Sequence, residues 1–379
     1  LGLIENFISD SKEVKNLNNN KDLLEKESTV EIEGNSYNMI YKKILNFDDR
    51  TASFYVQPKD NKLSYNIFLQ EGLEINNNEI KEMNLPIEIT FEKNGGVKSV
   101  FKIGDEKFAL ISAKKSFNCY SGLIFNLRDQ NKILETECLP DYKNVDFNGL
   151  GGAFTHYKKD LILSLGAPEW NSEEIRNLAQ NDKSLLGKTL ILNKNLFNKI
   201  NKKKIENNYH KIFTKGHKNP QGITTLEGII FSVEHGPQGG DEINILKEGS
   251  NYGWPLTSYG TLYNNGKSFL KKDINSLSPI FTFLPSIAPS SIANCPNNLK
   301  KFYKENFCIM ILSLKDMSLY VALFDKKKLN LISLERFLIG QRLRHFGLSK
   351  NNKIFQKNNF FYISADGEGI YELQFKDFR

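Results

Sequence analysis

Short runs of alternating apolar and polar residues fill this chain almost from end to end. "STVEIEG", "NMIYKKIL", "TASFYVQP", "LSYNIFLQ" and "IEITFEK" open the series, and "FCIMILSL", "LYVALF", "FFYISAD" and "GIYELQF" close it. Each run is bounded by Asn, Asp, Gly or Pro, which is the signature of half-buried strands separated by turns. One segment reads as a helix instead, Asn171 to Gly187, with Asn171 as its cap and Glu174 three residues on as the capping-box partner. Many short strands with a turn every ten or so residues predict an all-β sandwich, barrel or propeller. A sandwich usually ends near 100 residues, and this chain has 379. A strand-turn pattern that returns about every fifty residues in the second half favours blades.

Composition adds limits. Hydrophobic residues make up 40% and aromatics 12%, enough for a packed core. The net charge is +7, but the lysines are interleaved with asparagines and acids. The densest run, Asn198 to Asn208, reads as a solvated loop, so no nucleic-acid partner is expected. Cys119, Cys138, Cys295 and Cys308 form no C-x-x-C pair, which argues against a zinc ribbon. Cys119 and Cys138 fall in successive strand-like runs and are candidates for a disulfide; buried free thiols are the alternative. No apolar run reaches the roughly twenty residues of a membrane span. The chain opens "LGLIENFISD" without methionine. Removal of an upstream signal peptide, or an anchor to a membrane, would fit.

Two loops stand apart from the strand pattern. "EHGPQGGDEIN", Glu234 to Asn244, follows the run "GIIFSVE" and precedes "GSNYGWP". Its Gly and Pro let backbone carbonyls approach a ligand. Glu242 adds a carboxylate and Tyr252 a carbonyl. Such oxygens suit Ca²⁺; the plain alternative is a tight turn with solvated acids. "KGHKNPQG", Lys215 to Gly222, is a second Gly/Pro loop before the same strand.

Together these loops resemble the pyrroloquinoline-quinone (PQQ) dependent soluble aldose sugar dehydrogenases, the glucose/sorbosone dehydrogenase family. That family carries G-H-R-N-P-Q-G, a strand, E-H-G-P-x-G-G-D-E-I-N, then G-x-N-Y-G-W-P. "LPSIAPSSI" (Leu284 to Ile292), "SLKDMSLY" (Ser313 to Tyr320), "GQRLRHFGLSKN" (Gly340 to Asn351) and "AQNDKSLLGKTLIL" (Ala179 to Leu192) extend the likeness. Residues 1–27 read as a polar lead-in. Residues 28–84 match poorly and read as a divergent β region that supplies the first blade. Residues 85–379 read as the family's propeller.

The resemblance implies a six-bladed β-propeller, a periplasmic or secreted protein, and a sugar as small-molecule partner. PQQ would lie at one end of the axis beside a Ca²⁺, with a second, structural Ca²⁺ elsewhere. Arg342, Arg344 and Lys315 would face the tricarboxylate, and guanidinium suits carboxylate. Asn94, Lys218, Asn219, His235 and Ser286 would also contact the cofactor. The carbonyls of Gly236 and Pro237 would hold the catalytic Ca²⁺, and Glu242 with the Tyr252 carbonyl the structural one. Lys218 stands for the usual arginine, which keeps the charge and loses the fork. Asn94 stands for a glutamine.

The substrate side departs further. The family's general base is a histidine in H-x-G-G-R. Aligning Gly151 and Gly152 puts Gly149 in its place, Ala153 at the arginine and Ala167 where an aspartate stands. His156 and Asp146 are substitute bases by position in the chain. If only the base is missing, Gly149→His should raise activity. Two readings follow: a sugar dehydrogenase with a rearranged base, or a degenerate propeller that binds PQQ and Ca²⁺, or another ligand, without turnover.

Overall fold

A computed structural model describes residues 29–60, 62–76, 79–85, 90–193, 210–269 and 274–379. The lead-in over 1–27 and the Asn/Lys run at 198–208 lie outside the described residues. Within them the chain forms six antiparallel sheets. Strands β1 (Val30–Glu33) and β2 (Asn38–Leu45) come first. The first full blade is β3 (Thr51–Lys59), β4 (Lys62–Leu69), β5 (Leu73–Asn76) and β6 (Glu79–Glu82). The second is β7 (Val97–Ile103), β8 (Glu106–Ser116), β9 (Cys119–Asn126) and β10 (Lys132–Glu135). The third is β11 (Gly151–Tyr157), β12 (Asp160–Leu165), β13 (Lys188–Leu192) and β14 (His210–Lys215). The fourth is β15 (Asn219–Leu226), β16 (Ile229–His235), β17 (Asp241–Ile245) and β18 (Phe281–Phe283). The fifth is β19 (Pro289–Asn294), β20 (Asn306–Ser313), β21 (Ser318–Asp325) and β22 (Leu331–Leu338). In the last, β23 (Leu343–Phe346), β24 (Phe360–Ala365) and β25 (Gly369–Lys376) are joined by β2 and β1. Pairing of β2 with β25, Asn38 opposite Lys376 through Leu45 opposite Ile370, closes the ring with both arms of the chain.

The six first strands form the inner wall. Contacts run β3 to β7, β7 to β11, β11 to β15, β15 to β19, β19 to β23 and β23 back to β3. Neighbouring inner strands are parallel in space. Ser164 Oγ, beside the start of β11, donates to Pro220 O at the start of β15 (2.9 Å). At the other end Thr225 Oγ1 donates to His156 O (3.2 Å). Six apolar clusters fill the gaps between adjacent blades, such as Phe101, Phe108 and Leu163 between the second and third. This explains why the second strands of the blades, such as β12 and β20, read as nearly continuous apolar runs: both of their faces are buried.

Helix is scarce. Strand β12 leads into α1 (Glu173–Asn177), followed by a 3₁₀ turn, Leu178–Gln180. This is much shorter than the predicted helix, and its cap is Ser172, whose Oγ accepts from Ile175 N (3.4 Å). Asn171 instead sits at φ 56°, a left-handed turn position that Asn tolerates. A second helix, α2 (Asn297–Phe302), joins β19 to β20. The cysteines pair as Cys119–Cys138 and Cys295–Cys308, so the disulfide alternative holds over free thiols. No helix among the described residues is long and apolar enough to cross a membrane.

Candidate functional site

The inner strands all begin at one end of the axis, and the loops that feed them converge there. The Gly236–Pro237 bend leaves β16 at this end. Asp241, only 2% exposed, holds the bend in place. Its Oδ1 accepts from Gly236 N (2.9 Å) and Ser286 Oγ (3.1 Å), and its Oδ2 accepts from Ala288 N (2.7 Å). One carboxylate therefore ties two loops of the fourth and fifth blades together. A side chain at Gly236 would collide with Gly240 O (2.1 Å), so the bend needs glycine there. No hydrogen bond among the described residues ends on the Gly236 or Pro237 carbonyls.

His235 precedes the bend. Its Nε2 lies 3.1 Å from Pro289 O and donates to it, which leaves Nδ1 as the acceptor. Burial lowers its pKa to about 4, opposed by the Asp241 carboxylate and reinforced by Lys218 and Arg344. The imidazole is thus neutral at ordinary pH and too weak a base for an efficient proton transfer. The same charges place Lys218 and Arg344 within electrostatic reach of this loop. Lys218 Nζ also stands 5.7 Å from the Trp254 ring centroid.

On β23, Arg344 forks onto Asp366, with Nε to Oδ1 at 2.8 Å and Nη2 to Oδ2. Arg342, half exposed, reaches the same carboxylate at 3.8 Å. Two guanidiniums share one anion, so the pair retains a net positive charge. Lys315 is exposed and forms no ion pair among the described residues; its backbone N–H is bound to Ile287 O (3.0 Å). Asn219, nearly buried, donates from Nδ2 to Asn148 O (3.1 Å) and accepts from Gln221 (2.6 Å). Arg344, Asn148 and Gln221 line a cavity of about 770 Å³ along the axis.

The substrate-side positions are rearranged. Asp146 caps the 3₁₀ turn Phe147–Gly149 by accepting from Asn148 N (3.0 Å), and it accepts from Asn94 Nδ2 (3.0 Å). Gly149 lies against the Ala167–Pro168 backbone: a Cβ added there would meet Ala167 O at 3.0 Å and Pro168 Cα at 3.1 Å. That backbone is held by Ala167 N to Lys218 O (2.7 Å) and Asp146 N to Pro168 O (3.0 Å). A side chain at 149 would therefore press on a held backbone, which would have to give by a few tenths of an ångström. His156 lies six strand positions along β11, at the opposite end of the axis. At ~3.3 Å per residue that is well beyond reach of the Gly236 bend. Its Nε2 meets Asn352 Nδ2 at 3.1 Å, and its role is in that far wall.

Lysine 98, on β7, was not among the expected residues. Half-buried, it lines the axial cavity and donates from Nζ to Asn94 O (2.6 Å). Its Cβ packs where a side chain on Gly152 would otherwise stand (3.4 Å). Burial, then Arg344 and Arg50, lower its pKa to about 7 against the pull of Asp146. The signal was present: the strand "VKSVF" carries a lysine where the resembling pattern G-G-L-L has a leucine.

Glu242 and Tyr252 meet at a separate cavity of about 180 Å³, with Thr257, Ser258 and Ser276. Behind it Glu234, Glu242 and Asn244 form a buried group, Asn244 Nδ2 donating to both carboxylates (3.1 Å each). Glu234 Oε2 and Asn244 Oδ1 have no hydrogen-bond partner among the described residues. Burial, then repulsion from Glu234, raises the Glu242 pKa well above the usual range. No cluster of three or more His, Cys, Asp or Glu suited to a metal occurs among the described residues.

The glucose/sorbosone dehydrogenase family model matches residues 126–360, more than half of the chain. The chain belongs to that family. Curated relatives include an uncharacterized protein of Synechocystis (31% identical over 148 residues, 35% of this chain and 35% of that protein). Aldose sugar dehydrogenase YliI of Escherichia coli is 37% identical over 115 residues, 29% of this chain and 30% of that protein. Quinoprotein glucose dehydrogenase B of Acinetobacter calcoaceticus is 42% identical over 72 residues, 17% and 15% respectively. The aligned stretches thus span about a third or less of these relatives' length. Among solved structures, the apo form of the soluble aldose sugar dehydrogenase of E. coli superposes with a TM-score of 0.70 at 20% identity, over 89% of this chain and 99% of that one. The PQQ-bound aldose sugar dehydrogenase of Streptomyces coelicolor gives 0.57 at 17%, over 89% and 98%. At such identities the likeness is one of fold, and it matches the six-bladed ring of this family member.

Proposed function

We propose that this protein is a PQQ- and Ca²⁺-dependent aldose dehydrogenase that oxidises a sugar at its C1 hydroxyl. The observation that carries the reading is the convergence of Arg344, Arg342 and Lys218 on the axial end that also bears the Gly236–Pro237 bend. That surplus of positive charge fits a tricarboxylate, and two buried carbonyls without partners fit a hard cation. Bound PQQ would supply the quinone that takes up hydride from the sugar. The chain's own residues do the rest. Arg344, oriented by Asp366, and Arg342 bind the carboxylates; Asn219 and Ser286 hold the rim; Asp241 sets the loop. At the second position Glu242 and the Tyr252 carbonyl hold a structural Ca²⁺, which relieves the repulsion between Glu234 and Glu242. Two disulfides suit an oxidising compartment such as the periplasm or the exterior.

One observation favours a second reading. Glycine at 149, closed in by Ala167–Pro168, offers no base, so the site would bind cofactor without turnover. Titrating PQQ and Ca²⁺ into the apo-protein while following the cofactor's absorbance, then adding a panel of aldoses with an artificial electron acceptor, separates the two. Binding with turnover supports the first reading and binding alone the second. No binding defeats both.

A further inference from the structure

Resting on the dehydrogenase reading, we infer that Lys98 is the proton acceptor of this site, in place of the absent histidine. Three placements support this. Lys98 lies on the inner strand next to β11, its Cβ against Gly152, three residues after Gly149. It lines the axial cavity together with Arg344, Asn148 and Gln221. Its one strong hydrogen bond goes to a carbonyl, Asn94 O, with Gly95 O at 3.5 Å; no carboxylate binds it directly.

An amine can accept a proton only when neutral. Its surroundings favour that form: burial disfavours the ammonium most, the guanidiniums of Arg344 and Arg50 add to this, and the Asp146 carboxylate pulls the other way. Asp146 is further occupied by Asn94 and Asn148. A buried lysine held near neutrality is suited to general-base work. In the step, the sugar's C1 O–H bond breaks and its proton goes to the Lys98 lone pair. The C1–H electron pair leaves as hydride to the ortho-quinone acceptor, and the C1–O bond becomes the lactone carbonyl. Solvent then takes the proton from the ammonium.

The test uses the full chain and its K98R and K98M variants in three measurements. Competition labelling with acetic anhydride across pH, read by mass spectrometry, should give Lys98 a reactivity midpoint near 7 in the apo-protein. PQQ titration with Ca²⁺ should show K98R binding within a few-fold of the native protein. Aldose oxidation should fall by ~10²–10⁴-fold in both variants, as loss of a general base requires. A labelling midpoint above 9, or a K98R that keeps native turnover, overturns the assignment and leaves the dehydrogenase reading standing. Absence of turnover in the native protein with PQQ bound overturns both.

Discussion

Asp241 accepts the backbone N–H of Gly236 at 2.9 Å and, through its other oxygen, that of Ala288 at 2.7 Å. A buried carboxylate thereby fixes the spacing between the Gly236–Pro237 bend and the loop that carries Ser286. The Asp241→Asn variant turns one acceptor into a donor facing a donor. It should lose ~1–3 kcal/mol of stability and bind PQQ with Ca²⁺ more weakly. Urea unfolding and the absorbance titration check the two effects; native values for both would show that the bend is held by other means.

Arg344→Lys keeps the charge and gives up the fork onto Asp366. Its expected effect is a loss in PQQ affinity of ~tenfold, or about 1.4 kcal/mol. Arg342→Lys, which has only a 3.8 Å contact to Asp366, should lose less. An equal loss in both would mean that charge alone, and not orientation, matters here.

Chelation should expose the Glu234–Glu242 pair. The Glu242 pKa is raised on folding, so the unfolded chain gives up its proton first and the metal-free protein loses stability as pH climbs above the usual carboxylate range. Ca²⁺ should raise the melting temperature by several degrees and flatten this slope. In Glu242→Gln the slope should be lost and the response to EGTA reduced to that of the Gly236–Pro237 site. Melting curves at pH 5 and 8, with and without Ca²⁺, provide the measurement.

Lys98 has the opposite signature. Its folded pKa lies near 7 and its unfolded one near 10.5, so between those values the unfolded state binds more protons and stability rises with pH. Lys98→Met removes the penalty. The variant should melt above the native protein at pH 7, and the gap should close towards pH 10. A variant that melts lower at pH 7 would contradict the burial of this amine.

Gly149→His, attractive from the alignment, should fail to restore a base. Its Cβ would press on a backbone pinned at Ala167 and Pro168, at a cost of ~1–3 kcal/mol. Thermal melting together with turnover would show a less stable protein with no gain in rate.

Much of this was legible in the sequence, for definite reasons. Strand alternation and Gly/Pro spacing are local signals, so β15, the 236 bend and β16 could be placed from residues 215–244 alone. That Arg344 and Arg342 stand together was legible because their motif is short, and both reach Asp366. Distance along the axis was not legible. His156 is near Gly149 in sequence but a strand length away in space, and a position count cannot show which end of a strand faces the Gly236–Pro237 bend. The role of Asp241 was not legible because its partners, Gly236 and Ala288, lie on two different loops. The helix cap moved from Asn171 to Ser172 because the chain turns left-handed at Asn171 before α1 begins.

The pairing of β2 with β25 has a consequence for biogenesis. While the polypeptide emerges from the ribosome, residues 38–45 can pair with β1 on one side, and their other edge waits until the residues beyond 370 follow. For that interval a two-stranded ribbon with one open amide edge is available to other chains. A chaperone or export factor that shields this ribbon would raise the yield of native rings, and concentrated refolding would favour swapped dimers.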